Sequence, residues 1–146
     1  MWRPAPVERV SVLEAGGVKL YHFTTEQLWR RIRRQGLTLG VVPVSRDRRG
    51  VSLLTGYQWL TENPEFSPDW ATRNLIGYRR DDVRITVDIP GAASGRLRRW
   101  DDIAPRICGN MLAELNHGFA HDEWWLYEGK VHPAWFSGVA FRREAA

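Results

Sequence analysis

The chain has 146 residues, 43% of them hydrophobic, with a formal charge of +4 and a pI near 9.7. That length and apolar content describe one domain with a real core, and they exclude a disordered tail. Purely apolar runs stop at about four residues, as in Val41-Val42-Pro43-Val44, and Met1-Trp2-Arg3-Pro4 opens no signal-peptide core, so no membrane span is expected and a cytoplasmic protein is.

Val18 to Phe23 reads as a strand, with Leu20, Tyr21 and Phe23 as β-formers. Thr24 or Thr25 then caps a helix, and Thr24 with Gln27 three places on fits a capping box. The helix is expected to run to about Gln35, with Gly36 closing it. Leu28, Trp29 and Ile32 share one of its faces; Arg30, Arg31, Arg33 and Arg34 cover the other. Such an arginine run is ordinarily a solvated face; a functional one would attract phosphates or an acidic partner.

Leu37 to Val44 is a candidate short strand, and Arg46 to Gly50 a surface turn. Val51 to Leu54 and Gly56 to Thr61 are strand-like. Pro64 and Pro68 break the chain before a turn or short helix around Asp69 to Asn74. Val83 to Ile89 alternates cleanly, with Val83, Ile85, Val87 and Ile89 on one side. Gly91 to Gly95 reads as a loop, and Asp101 to Leu115 as a helix with Pro105 near its start. The single cysteine, Cys108, falls in that stretch; it allows no internal disulfide and is expected to be a small core residue. Glu123 to Tyr127 is a strand, Lys130 to Pro133 a turn, and Ala134 to Arg142 the last strand. Strands spread along the chain with two main helices predict a single α+β domain over residues 1–146, built on two small packed antiparallel or mixed sheets rather than a Rossmann sheet. Neither common glycine-rich phosphate loop is present.

Three segments carry the candidate chemistry. Leu20-Tyr21-His22-Phe23-Thr24 ends a strand in a histidine and a threonine. Gly56-Tyr57-Gln58-Trp59-Leu60-Thr61 is followed by Trp70, eleven residues after Trp59. Asp122-Glu123-Trp124-Trp125-Leu126-Tyr127 opens with carboxylates and turns strongly aromatic. Taken singly, His22 reads as a packing or surface histidine, Trp59 and Trp70 as core, and Glu123 as a strand-edge charge. Eight tryptophans in so short a chain nevertheless point to aromatic surfaces that line a pocket for a flat ligand.

Together, and in this order, the three segments resemble the ADP-ribosyltransferase superfamily, its poly(ADP-ribose) polymerase-like branch in particular. His22-Phe23-Thr24 with Ile32…Gly36-Leu37 is similar to that family's H-x-[ST] strand end and following helix. Trp59-Leu60-Thr61 takes the place of its aromatic second motif, with Trp70 at the matching spacing. Glu123-Trp124-Trp125-Leu126-Tyr127, followed by Val131 and Trp135, is similar to its glutamate strand. The resemblance runs from about Leu20 to Phe141 and implies NAD as a substrate, with no metal. It implies Glu123 and His22 as catalytic residues, and His22, Phe23, Thr24, Trp59, Thr61 and Trp70 as the NAD-binding set. Glu123 would stabilise positive charge on the ribose, His22 and Thr24 would fix the adenosine ribose and phosphate side, and Trp59 and Trp70 would sandwich the nicotinamide.

Two positions depart from the family pattern. Trp59 replaces the usual tyrosine and loses its hydroxyl, and Phe23 replaces the usual glycine. Two functions are therefore expected as alternatives. One is a mono-ADP-ribosyltransferase of the bacterial toxin or phage effector type, acting on a protein or nucleic-acid acceptor. The other is a non-catalytic binder of nucleotide, nucleic acid or protein on the same fold. Among rival site residues, His117 and His121 stand four apart beside Asp122, but Gly118 between them argues against a zinc-binding helix face. Glu128 is the rival to Glu123, and alternation leaves it at the strand end.

Overall fold

A computed structural model of the chain describes residues 2–4, 17–65, 82–109, 111–112 and 123–142. The strands are β1 (Trp2–Pro4), β2 (Val18–Thr24), β3 (Val41–Asp47), β4 (Gly50–Thr55), β5 (Tyr57–Thr61), β6 (Val83–Ile89), β7 (Leu97–Arg99), β8 (Trp124–Glu128) and β9 (Phe136–Arg142). Among the described residues the α-helices are α1 (Glu26–Gln35) and α2 (Trp100–Ile103), and Gly109, Met111 and Leu112 are helical as well. The fold is α+β. Seven strands form one antiparallel sheet in the order β1-β9-β6-β2-β5-β8-β7, and β3 and β4 form a separate antiparallel ribbon.

Alternation in β6 sets one face of the large sheet. Val83, Ile85, Val87 and Ile89 are all fully buried, and they join Leu20, Leu60 and Tyr127 in a single cluster. Ile32 of α1 and Leu37 and Val131 belong to it, with Leu28 and Trp29 packed alongside, so the apolar stripe of α1 covers this face. The opposite face carries a second cluster of Val42, Tyr57, Trp100, Ile103, Ile107, Met111 and Leu126. Each fully buried leucine or isoleucine contributes about 2 kcal/mol of hydrophobic transfer, so both sides of the sheet are structural.

Thr25, not Thr24, caps α1: its Oγ1 accepts from Leu28 N at 3.1 Å, while Thr24 ends β2 and is buried. Gly36 closes α1 with φ +81°, donating its N–H to Ile32 O at 2.7 Å. A Cβ at Gly36 would also run into the carbonyl oxygen of Val131. The chain needs that closeness, because Leu37 and Val131 exchange both backbone hydrogen bonds, at 3.0 and 3.1 Å.

Three expectations are corrected. The strand expected at Leu37 begins at Val41, because Leu37 is spent on its bridge to Val131. The connection expected at Gly91 to Gly95 is present and takes the form of a 3-10 turn over Gly91–Arg96. The helix expected from Asp101 to Leu115 is interrupted: α2 ends at Ile103, a 3-10 turn at Ala104–Arg106 and an extended Ile107 follow, and helix resumes at Gly109, Met111 and Leu112, with Leu112 N bonding Cys108 O at 2.8 Å. Pro105 has no N–H to continue the α-helical ladder, and Cys108 N bonds Val44 O at 2.9 Å instead. Cys108 is consequently exposed rather than core. The turn expected around Asp69 to Asn74 lies outside the described residues.

Candidate functional site

The strands that carry the three sequence segments, β2, β5 and β8, are consecutive neighbours in the large sheet. Their pairing is uneven. β2 and β6 are in register over all of β2, from Val18↔Ile89 to Thr24↔Val83. β5 and β8 are in register from Tyr57↔Glu128 to Thr61↔Trp124. Between β2 and β5 the ladder is confined to Tyr21↔Thr61. One residue beyond that pair, a side chain takes over from the backbone: His22 Nδ1 lies 2.8 Å from Trp59 O. A carbonyl oxygen only accepts, so His22 Nδ1 carries a proton and donates this bond.

On the other side of the Tyr21–Thr61 row stands Glu123, immediately before β8. Its carbonyl accepts from Glu62 N at 2.9 Å and from Thr61 Oγ1 at 3.2 Å. Its carboxylate Oε2 accepts from Asn63 Nδ2 at 3.2 Å. Asn63 is itself fixed, since its N–H donates to Thr61 Oγ1 at 3.1 Å and its Oδ1 accepts from Glu65 N at 2.9 Å. The Thr61 hydroxyl thus donates to one residue of the site and accepts from another while remaining 2% exposed.

The anchors of His22 and Glu123 on β5 are Trp59 and Thr61, two residues of strand rise or about 7 Å apart. Paired residues share a sheet face, so Leu60 and Trp125 lie together. Continuing the antiparallel register from Tyr21↔Thr61 sets His22 beside Leu60. Glu123 precedes Trp125 by two residues and falls on the same face by alternation. His22 and Glu123 are therefore on the α1 side.

Trp59 and Thr61 belong to the other side. Trp59 Nε1 donates to Val41 O at 2.9 Å. Its ring lies 5.3 Å from that of Trp100 at 32°, and edge-on to Trp124 at 5.8 Å and 79°. Trp59 is thus packed into the second core cluster. Phe23 and Thr24 are 7% and 1% exposed, so both are buried at the end of β2. Trp70, His117 and His121 lie outside the described residues. Glu128 ends β8 and pairs with Arg98 at 3.3 Å, well away from Asn63.

Several neighbours of the site were not singled out from the sequence. Asn63 is one; the Thr61-Glu62-Asn63 run before Pro64 carried a local signal, since threonine and asparagine side chains bond backbone two residues away. Glu62 is another: its Oε1 accepts from Trp125 Nε1 at 2.8 Å. The Arg99 guanidinium sits 4.3 Å over the ring of Trp125. Glu62, Trp125 and Arg99 meet only because β5, β8 and β7 are adjacent. Compared with protein-family models, with curated proteins and with solved structures, the chain finds no match.

Proposed function

We propose that the chain is an NAD-dependent mono-ADP-ribosyltransferase, which transfers ADP-ribose to a macromolecular acceptor in the manner of a bacterial toxin or phage effector. One observation carries the reading. Three motif-bearing strands far apart in sequence are side by side in one sheet, with His22 and Glu123 on one face and anchored two residues apart on β5.

The chemistry follows from the donor. The glycosidic C–N bond of NAD breaks, its electron pair leaves with neutral nicotinamide, and the ribose carbon becomes oxocarbenium-like. A carboxylate held beside that sugar offsets the developing charge and accepts a hydrogen bond from a ribose hydroxyl. Glu123 has this role, with Asn63 orienting its carboxylate. The acceptor nucleophile then bonds to the ribose carbon and gives up its proton. His22, held through Nδ1, fixes a hydroxyl of the bound nucleotide. Phe23 and Thr24 contribute backbone at the place where β2 and β5 part. Thr61 holds the base of the site through its bond to the Glu123 carbonyl; the nicotinamide sandwich expected of Trp59 and Trp70 is not part of this arrangement, because the Trp59 ring packs on the opposite face of the sheet.

Proton NMR of the protein with NAD, beside the Glu123→Gln variant, tests the proposal. Nicotinamide release by the wild type and its loss in the variant is the expected result. Sharp, unshifted NAD signals in both samples would overturn it. A second reading, a binder without turnover, draws support from Trp59, whose ring is already engaged by Trp100 and Trp124. On that reading, salt-sensitive nucleic-acid binding survives Glu123→Gln and weakens when Arg30, Arg31, Arg33 and Arg34 are neutralised.

A further inference from the structure

The β3–β4 ribbon stands apart from the large sheet and has an unusual surface. Its strands pair from Val41↔Thr55 to Asp47↔Gly50, with an irregularity between Pro43 and Ser45. The base is tied down: Val41 O accepts from Trp59 Nε1, Gly56 N donates to Gly40 O at 3.1 Å, and Val42 is fully buried. The far half is in solvent, with every residue from Arg46 to Leu53 exposed. The tip carries Arg46, Arg48 and Arg49 against one acid, Asp47, whose Oδ1 is occupied by the N–H of Arg49 at 2.8 Å. On β4, Val51 and Leu53 alternate onto one face and are 43% and 49% exposed. The Cys108 N to Val44 O bond brings the segment holding Arg106 alongside the ribbon, which extends the positive charge toward its base.

We infer that this ribbon is a docking arm for double-stranded DNA, inserted in the major groove with its arginine tip on the phosphates and Val51 and Leu53 toward the base edges. Three features favour that occupant. A two-stranded antiparallel ribbon is one of the two shapes the B-form major groove admits. The arm's net positive charge and the chain's +4 complement a polyanion. Exposed aliphatic side chains on the ribbon face suit contact with thymine methyl groups, a use that an A-form duplex with its narrow, deep major groove does not allow. The surface is distinct from the α1 arginines and does not depend on NAD turnover.

The test is fluorescence anisotropy of a labelled twenty-base-pair DNA duplex over a salt series. The samples are the full chain, Arg48→Ala/Arg49→Ala, Val51→Ser/Leu53→Ser, and Arg30→Ala/Arg33→Ala/Arg34→Ala, each checked for an unchanged thermal melt. The expected result is binding whose log–log salt slope falls by about two in the tip variant. The Val51→Ser/Leu53→Ser variant should keep the slope and lose preference for thymine-rich duplexes, and the α1 variant should bind like the wild type. Four outcomes overturn the inference: no duplex binding at low salt, binding lost in the α1 variant alone, equal affinity for an RNA duplex, or binding to polyglutamate but not to DNA. The last would assign the arm to an acidic protein.

Discussion

On the proposed reading the Glu123 carboxylate stays beside a sugar and needs a second residue to hold it; Asn63 Nδ2 donates to that carboxylate. Asn63 has little freedom to move away, because its backbone N–H and its Oδ1 are both engaged within the same turn. Replacing it with alanine removes a hydrogen bond to a charged acceptor, worth about 1.5 kcal/mol. Asn63→Ala is accordingly expected to slow nicotinamide release roughly tenfold with little change in KM. A rate equal to the wild type's would remove Asn63 from the site. Glu123 and His22 were singled out in the sequence because their types and order resemble a known pattern. Asn63 was not, since its importance depends on which carboxylate the β5–β8 register sets opposite it. Trp59 shows the converse: its type suggested a ligand platform, and its neighbours in space, Trp100 and Trp124, were invisible in the chain.

At the scale of elements, α1 follows local rules and was read almost to the residue. Thr25 caps it, Glu26 stands in its first turn, Arg33 and Arg34 in its last, and Gly36 ends it. Thr25→Ala should cost about 1 kcal/mol in a denaturant melt. Gly36→Ala should cost more than about 1 kcal/mol, since it adds a strained φ to a collision with the Val131 carbonyl. Equal losses for the two variants would mean that the Leu37–Val131 bridge adjusts freely. β6 was equally legible, because burial on one face writes itself as period-two alternation. The helix expected after Asp101 is broken in its middle where two signals competed: the composition favoured a helix, Pro105 with the Cys108–Val44 bond interrupted it, and it resumes at Gly109.

Across the whole molecule, the sheet order β1-β9-β6-β2-β5-β8-β7 interleaves strands from both ends of the chain. β6 sits between two partners, with β2 in full register on one side and β9 on the other. Its amides should be among the slowest to exchange with deuterium, and those of the β3–β4 ribbon among the fastest, because the ribbon has one pairing per strand and an exposed tip. Protection in the ribbon equal to that in β6 would require a cover over it. The sequence by itself determined what depends on neighbours a few residues away: the α+β class, the extent and end of α1, the alternation of β6, and the residue types available for chemistry. Tertiary structure alone decided the rest. It brought β2, β5 and β8 together, stopped the β2–β5 ladder at Tyr21↔Thr61, and joined Glu123 to Asn63 across sixty residues. The physical reason is that strand order and register are chosen by burial of both faces of the sheet at once, a condition on the folded whole that no short window of residues contains.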